Sequence, residues 1–266
     1  KLIFVAEVYN RAEYLRYLQS GFDYLYDKVG LYDTLRAVVR GEASASCITG
    51  QWQCVDDIRT HMLYFLENHD EQRIASDFFA ASGEKARPAL AVSAFMGTNP
   101  LMIYAGQELG ERGMDAEGFS GRDGRTTIFD YWHVDTLDRL CHGDLLTCTP
   151  EQQALYAYYN NIVKLCNSEA ALREGTFYDL QYANYVADNG YNADRQYAFL
   201  RAAGKEKMLI VANFADQDVH VGVRIPENAF AFMGLREGLC SAHDLLSGEM
   251  QTLELRKDGA AFVEIP

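Results

Sequence analysis

The first part of the chain sets short apolar runs between longer polar stretches: Leu2 to Val8, Phe22 to Tyr26, Met62 to Leu66 and Leu101 to Ala105. Each run is apolar at consecutive rather than alternate positions and ends in polar or charged residues. That pattern marks strands buried on both faces of a parallel sheet, and the segments between them can hold the crossover helices such a sheet needs. Helices are predicted over Tyr32 to Val39, Glu71 to Phe79 and Ala86 to Met96, the last with Pro88 near its start, where a missing N–H is tolerated. Residues Gly106 to Gly143, rich in Gly, Asp, Glu and Arg, are too polar for core and read as an excursion forming a rim or lid above one end of the sheet.

A further helix opens at Thr149-Pro150-Glu151-Gln152, where Thr149 caps, Pro150 fits the first turn and Gln152 completes a capping box. Leu155, Tyr159, Ile162, Val163 and Cys166 make its expected buried stripe. After about Gly175 the period falls to two: Val219, Val221, Val223 and Ile225 alternate with His220, Gly222 and Arg224. With Tyr197 to Arg201, Met208 to Phe214 and Leu253 to Leu255, this predicts an antiparallel β domain over 175–266, after β/α units over 1–174.

Composition narrows the function. The formal net charge of −14 argues against nucleic acid and anionic membrane surfaces, which call for clustered Lys and Arg, and suits a neutral ligand better. No apolar run is long enough for a membrane span. The six cysteines, at 47, 54, 141, 148, 166 and 240, show no zinc-like spacing and read as mostly free thiols; the equal gaps Cys47 to Cys54 and Cys141 to Cys148 permit disulfides without implying them. Lys1 opens directly into an apolar run with no initiating Met, so residues upstream are expected, and the compartment is left open.

Parallel β/α units place ligand groups at the carboxyl ends of their strands. The first run delivers Glu7, in Phe4-Val5-Ala6-Glu7-Val8-Tyr9, and the third ends in Phe65-Leu66-Glu67-Asn68-His69-Asp70, the most polar strand end in the chain. From spacing alone, Glu7 is equally a structural ion pair, Asp70 a helix cap and His69 a structural histidine. Two carboxylates on one face are also what acid-assisted glycoside cleavage uses: one protonates the leaving oxygen and the other meets positive charge at the sugar carbon.

The strings themselves resemble the α-amylase family of glycoside hydrolases. Phe4 to Tyr9 is similar to the family's fifth-strand segment, Phe65 to Asp70 with its Asn-His-Asp triplet to the seventh, and Gly97-Thr98-Asn99-Pro100 through Gly106-Gln107-Glu108 to the eighth, in family order. The helix from Glu151 into Leu172 to Phe177 resembles the last barrel helix and the start of the C-terminal domain. The resemblance implies an α/β fold: the C-terminal half of a (β/α)8 TIM barrel, followed by an all-β antiparallel sandwich domain.

It also implies roles. Glu7 matches the general acid/base, Asp70 the carboxylate that stabilises the oxocarbenium-like transition state, and His69 a hydrogen-bond donor to the central sugar, while Asn68 orients the turn. Arg73 and Tyr9 are further candidate substrate-binding residues: Arg73 either pairs with a site carboxylate or caps a surface turn, and Tyr9, Trp52, Tyr104 and Trp132 are stacking candidates or core aromatics. Tyr9 stands where the family commonly has tryptophan. The implied ligand is an α-glucan oligosaccharide of starch type, the implied reaction retaining hydrolysis, and the nucleophilic aspartate is expected upstream of Lys1, which would leave the chain alone inactive. Calcium is a cofactor in parts of this family, with its usual ligands outside this chain, and no metal is assigned. α-Glucosidase or transglycosylase activity in the same family, or a non-catalytic carbohydrate-binding scaffold, are the alternatives. Four parallel strands cannot close a barrel, so the open edges are expected to be covered by another copy of the chain, through self-association, or by its own rearranged segments.

Overall fold

The computed structural model describes residues 2–115, 122–129, 133–143, 145–186 and 188–266. Strands β1 (Val5–Ala6), β2 (Tyr24–Tyr26), β3 (Met62–Phe65) and β4 (Leu101–Met102) lie side by side in that order in one parallel sheet, as the consecutive apolar runs predict. Ala6 pairs with Leu25, Leu25 with Met62 and Tyr64 with Leu101, so all the strand carboxyl ends emerge on one side. Parallel pairing needs crossovers. Helix α1 (Tyr14–Gln19) follows β1, α2 (Asp33–Val39) and α3 (Cys47–Cys54) follow β2, and α4 (Arg87–Phe95) follows β3. Leu35, Val38, Ile48, Ala89 and Val92 from these helices share one core with Leu25 and Met62 of the sheet.

One expected helix is absent. Glu71 to Phe79 forms successive turns, because its N–H groups are committed sideways: Ile74 N donates to the Glu67 carboxylate (2.7 Å) and Arg73 N to the Gly124 carbonyl (2.6 Å). The segment then closes through Ser76 N to Arg73 O (3.1 Å) and Phe79 N to Ser76 O (3.2 Å). Asp70 accordingly caps no helix. Downstream come α5 (Asp135–His142), inside the polar excursion, then α6 (Pro150–Ser168) and α7 (Ala170–Arg173). The α6 capping box forms as expected, Thr149 Oγ1 accepting from Gln152 N at 3.3 Å and Gln152 Oε1 accepting from Thr149 N at 3.0 Å. Leu155, Tyr159 and Ile162 are buried. Val163 is 39% exposed and Leu165 takes its place, since the three- and four-residue steps of the stripe carry past position 163.

The remainder is antiparallel. β5 (Thr176–Asp179), β6 (Gln196–Ala203) and β7 (Glu206–Asn213) make one sheet; β8 (Val219–Ile225) leads through α8 (Glu227–Met233) to the hairpin of β9 (Gly238–His243) and β10 (Met250–Leu255), and β11 (Gly259–Ile265) returns beside β8. Strand β6 is buried on both faces. Tyr197 and Phe199 pack into the core of the parallel sheet, while Ala198, Leu200 and Ala202 face Val221, Val223 and Ile225 in a second core. All six cysteines are free. No helix among the described residues is long and apolar enough to cross a membrane. The outer strands β1 and β4 are each paired on one side only, and Leu2, Ile3, Phe4 and Val5 leave more than two fifths of their surface in water.

Two buried polar groups join the α/β and antiparallel parts. Arg201 donates to the carbonyls of Met96, Ala171 and Leu172 at 3.1, 3.0 and 2.9 Å. Asp179 receives Thr49 Oγ1 and Trp52 Nε1, both at 2.7 Å, Tyr197 OH at 2.8 Å and Gln181 N at 2.6 Å. The carboxylate therefore satisfies donors from α3, β6 and its own chain, and removing it orphans all four. Asp179→Ala is expected to cost about 3 kcal/mol in urea unfolding followed by tryptophan fluorescence, to which the indole of Trp52 contributes. A loss below about 1 kcal/mol would show that the donors find other partners.

Candidate active site

Strand alternation sets the first carboxylate. Ala6 and Val8 turn into the core while Glu7 and Tyr9, two apart and on the same side, stay exposed. The Tyr9 hydroxyl donates to Glu7 Oε1. After β3 the chain continues through buried Leu66, Glu67 and Asn68 before it turns. Asn68 makes the break: its side-chain oxygen accepts from Asp70 N (3.0 Å) and Glu71 N (2.9 Å), a local turn that throws His69 and Asp70 outward, as expected for this residue. His69 Nε2 lies 3.5 Å from Asp70 Oδ2, and one ligand-type atom each of Glu7, His69 and Asp70 lies within 4.8 Å of the other two. The sheet thus brings together the three residues that the motifs single out. A cation would fit such spacing, but the imidazole already faces the Asp70 carboxylate, and we assign no metal.

Arg73 needs correction as a sugar contact. It is 1% exposed, with Nη1 2.8 Å from Glu67 Oε2, Nε and Nη2 at 3.2 and 2.7 Å from Thr126 Oγ1, and its guanidinium 4.2 Å from the centre of the Tyr104 ring. Sealed under the turn, Arg73 pairs with a carboxylate, and that carboxylate is Glu67. Burial pushes Glu67 up to about 7, against the lowering pull of Arg73 and of the Ile74 N–H. This pair ties the 67–74 turn to the polar excursion at Thr126 and to the end of β4 at Tyr104.

The stacking candidates separate. Tyr9 is at the site, with 46% of its surface exposed. Tyr104 is near, its ring covered by Arg73. Trp52 takes the core alternative: its indole N–H binds Asp179, its ring meets Phe177 edge-on at 5.3 Å, and it lies in the seam between the parallel and antiparallel sheets. Trp132 lies outside the described residues.

Two further carboxylates that follow the strand ends escaped the sequence reading. Glu71 takes Lys28 Nζ at 3.1 Å and the Tyr32 hydroxyl at 3.2 Å, adding a neutralised carboxylate beside the site. Asp27, next after β2, is 2% exposed, and one of its oxygens has no hydrogen-bond partner. Burial pushes it up to about 6, against the lowering effect of the Leu31 backbone and of Arg11. The signal was the one that picked out Glu7: a carboxylate at the end of an apolar run.

Comparison with known proteins follows the same line. No family model matches the chain. A curated relative, the α-amylase MalA of Haloarcula japonica, is 27% identical over 214 residues, covering 79% of this chain and 27% of that protein. The solved structure of the α-amylase from Geobacillus thermoleovorans complexed with acarbose matches 99% of this chain and 51% of its own, at 18% identity and a TM-score of 0.68. The maltogenic α-amylase AmyB from Thermotoga neapolitana matches 100% and 52%, at 17% identity and a TM-score of 0.65. The chain therefore spans about half the length of these structures and about a quarter of the curated relative.

Asp27 gives a pH test. Its folded value near 6 lies above the unfolded 3.8, so its contribution to stability is fully present below about pH 4 and is lost as pH rises through about 6. Asp27→Asn should raise the urea midpoint relative to the parent at pH 8 but not at pH 4, a differential of about 3 kcal/mol. An equal offset at both pH values would contradict the assignment. Sequence motifs, curated relative and fold point the same way: this chain is similar to glycoside hydrolases of the α-amylase family.

Proposed function

We propose that the chain carries two of the working carboxylates of a retaining α-glucan hydrolase, with Glu7 as general acid/base and Asp70 as the stabiliser of the oxocarbenium-like transition state. The observation that supports this best is the meeting of Glu7 and Asp70, from two different parallel strands, within 4.8 Å of one another and of His69. Glu7 gives its proton to the leaving glycosidic oxygen and later takes one from the attacking water. Asp70 stays ionised against the positive charge that develops at the anomeric carbon. His69, partly exposed between them, donates to a sugar hydroxyl.

On this reading, β1 to β4 are strands five to eight of a (β/α)8 barrel, residues 1–174 belong to that barrel, and residues 175–266 form its companion β sandwich. The nucleophilic carboxylate of the retaining mechanism then comes from residues outside Lys1–Pro266. The similarity to about half of each solved α-amylase supports this division. So does the exposed apolar face of β1, which suits an edge that another strand covers, in the same polypeptide or in a second copy. Starch-type oligosaccharide is the substrate class the reading favours, in keeping with the acarbose bound to the Geobacillus enzyme.

The test is hydrolysis of maltooligosaccharides by this chain and by a form extended upstream through the missing strands. Activity is expected only in the extended form, with Glu7→Gln lowering kcat by about a thousandfold. Activity of the short chain, or an extended enzyme indifferent to Glu7→Gln, would overturn the assignment.

A further inference from the structure

The tyrosine beside Glu7 has a place in the site that stacking on sugar does not explain. Glu7 is exposed, and among the described residues the Tyr9 hydroxyl is the one hydrogen-bond donor to its carboxylate. A free glutamate side chain samples many rotamers, whereas proton transfer needs the carboxyl in one orientation. Tyr9 is built to restrict it. Two residues on in the same extended segment, it projects to the same side, and its ring turns about only two torsions.

We propose that Tyr9 is a positioning residue for Glu7: its hydroxyl holds Oε1 and leaves Oε2 to exchange the proton with the glycosidic oxygen. This rests on the reading of Glu7 as acid/base. Tyr9 is itself unsuited to giving up a proton. Burial, the hydrogen bond to Glu7 and the negative charges of Glu7, Asp70 and Glu71 all hold its phenol well above the ordinary tyrosine range. The hydroxyl therefore remains a donor at any working pH. The other groups around Glu7 are His69 and Asp70 from the end of β3, and Tyr26 of β2, whose phenol is raised by burial and by Glu7; Lys28 is held by Glu71 and Asp33.

Tyr9 thereby fixes which oxygen of Glu7 faces the glycosidic bond. A sugar-stacking tyrosine would not hold the carboxyl, and its ring alone would suffice.

Two experiments read this separately. In the present chain, with tyrosines 13C-labelled at Cζ and the Tyr9 signal identified by its loss in Tyr9→Phe, the phenol should stay protonated beyond the ordinary tyrosine range. In Glu7→Gln it should titrate about one unit lower or more, a larger change than Asp70→Asn produces. A Tyr9 signal indifferent to Glu7→Gln overturns the contact, whatever the activity. In the upstream-extended enzyme, Tyr9→Phe should lower kcat about tenfold with KM within about twofold. Parent-like kcat in Tyr9→Phe, with KM raised only in Tyr9→Ala, would overturn positioning in favour of stacking. If the extended parent enzyme proves inactive while the phenol still responds to Glu7→Gln, the hydrolase reading fails and takes the catalytic role of Tyr9 with it, but the contact stands.

Discussion

Everything at the site depends on the parallel register of β1 and β3. Pairing through β2 aligns the two strands so that their carboxyl ends open on the same rim, and that alignment alone brings Glu7 to the Asn68-His69-Asp70 turn, some sixty residues further along the chain. Two carboxylates this close repel, by roughly 1 kcal/mol in water and by more in a drier site. The sheet imposes the meeting, and the strand-end turns hold it.

The turn after β3 is held from below by polar groups rather than by a helix. Glu67 and Arg73, each almost wholly buried, satisfy one another, and their spare donors and acceptors go to Ile74 and Thr126. A buried ion pair of this kind adds little net stability, because desolvation offsets the attraction, but breaking it by removing one partner is costly. Its effect is geometric: it draws the backbone of Glu71 to Phe79 into turns and exposes His69 and Asp70 while hiding their supports. The seam with the antiparallel sheets follows the same logic, with Asp179 and Arg201 each meeting several partners that would otherwise be buried and unpaired.

Much of this was legible in the sequence, because it rests on local patterns. Consecutive apolar residues marked all four parallel strands, the Thr149 to Gln152 box marked α6, and the period-two run marked β8. Glu7, His69 and Asp70 were visible as polar groups at the ends of apolar runs, but spacing alone left them structural readings as well, and it was the resemblance to the α-amylase family that implied their roles. What the sequence hid was long-range pairing. Nothing near Arg73 announces that Thr126 and Glu67 will enclose it, and nothing near Trp52 announces that its indole will bind Asp179, 127 positions away. The expected helix over Glu71 to Phe79 failed for the same reason: local propensity yielded to tertiary hydrogen bonds.

The central claim is that Glu7, His69 and Asp70 converge on a sugar. The most direct measurement is a crystal structure of the upstream-extended protein with acarbose or a maltooligosaccharide bound. A sugar ring is expected at these three residues, with Glu7 in hydrogen-bond reach of the glycosidic linkage and its nitrogen analogue in acarbose, and His69 on a sugar hydroxyl. A ligand bound elsewhere, or a cation shared by the three side chains in place of the sugar, would contradict it.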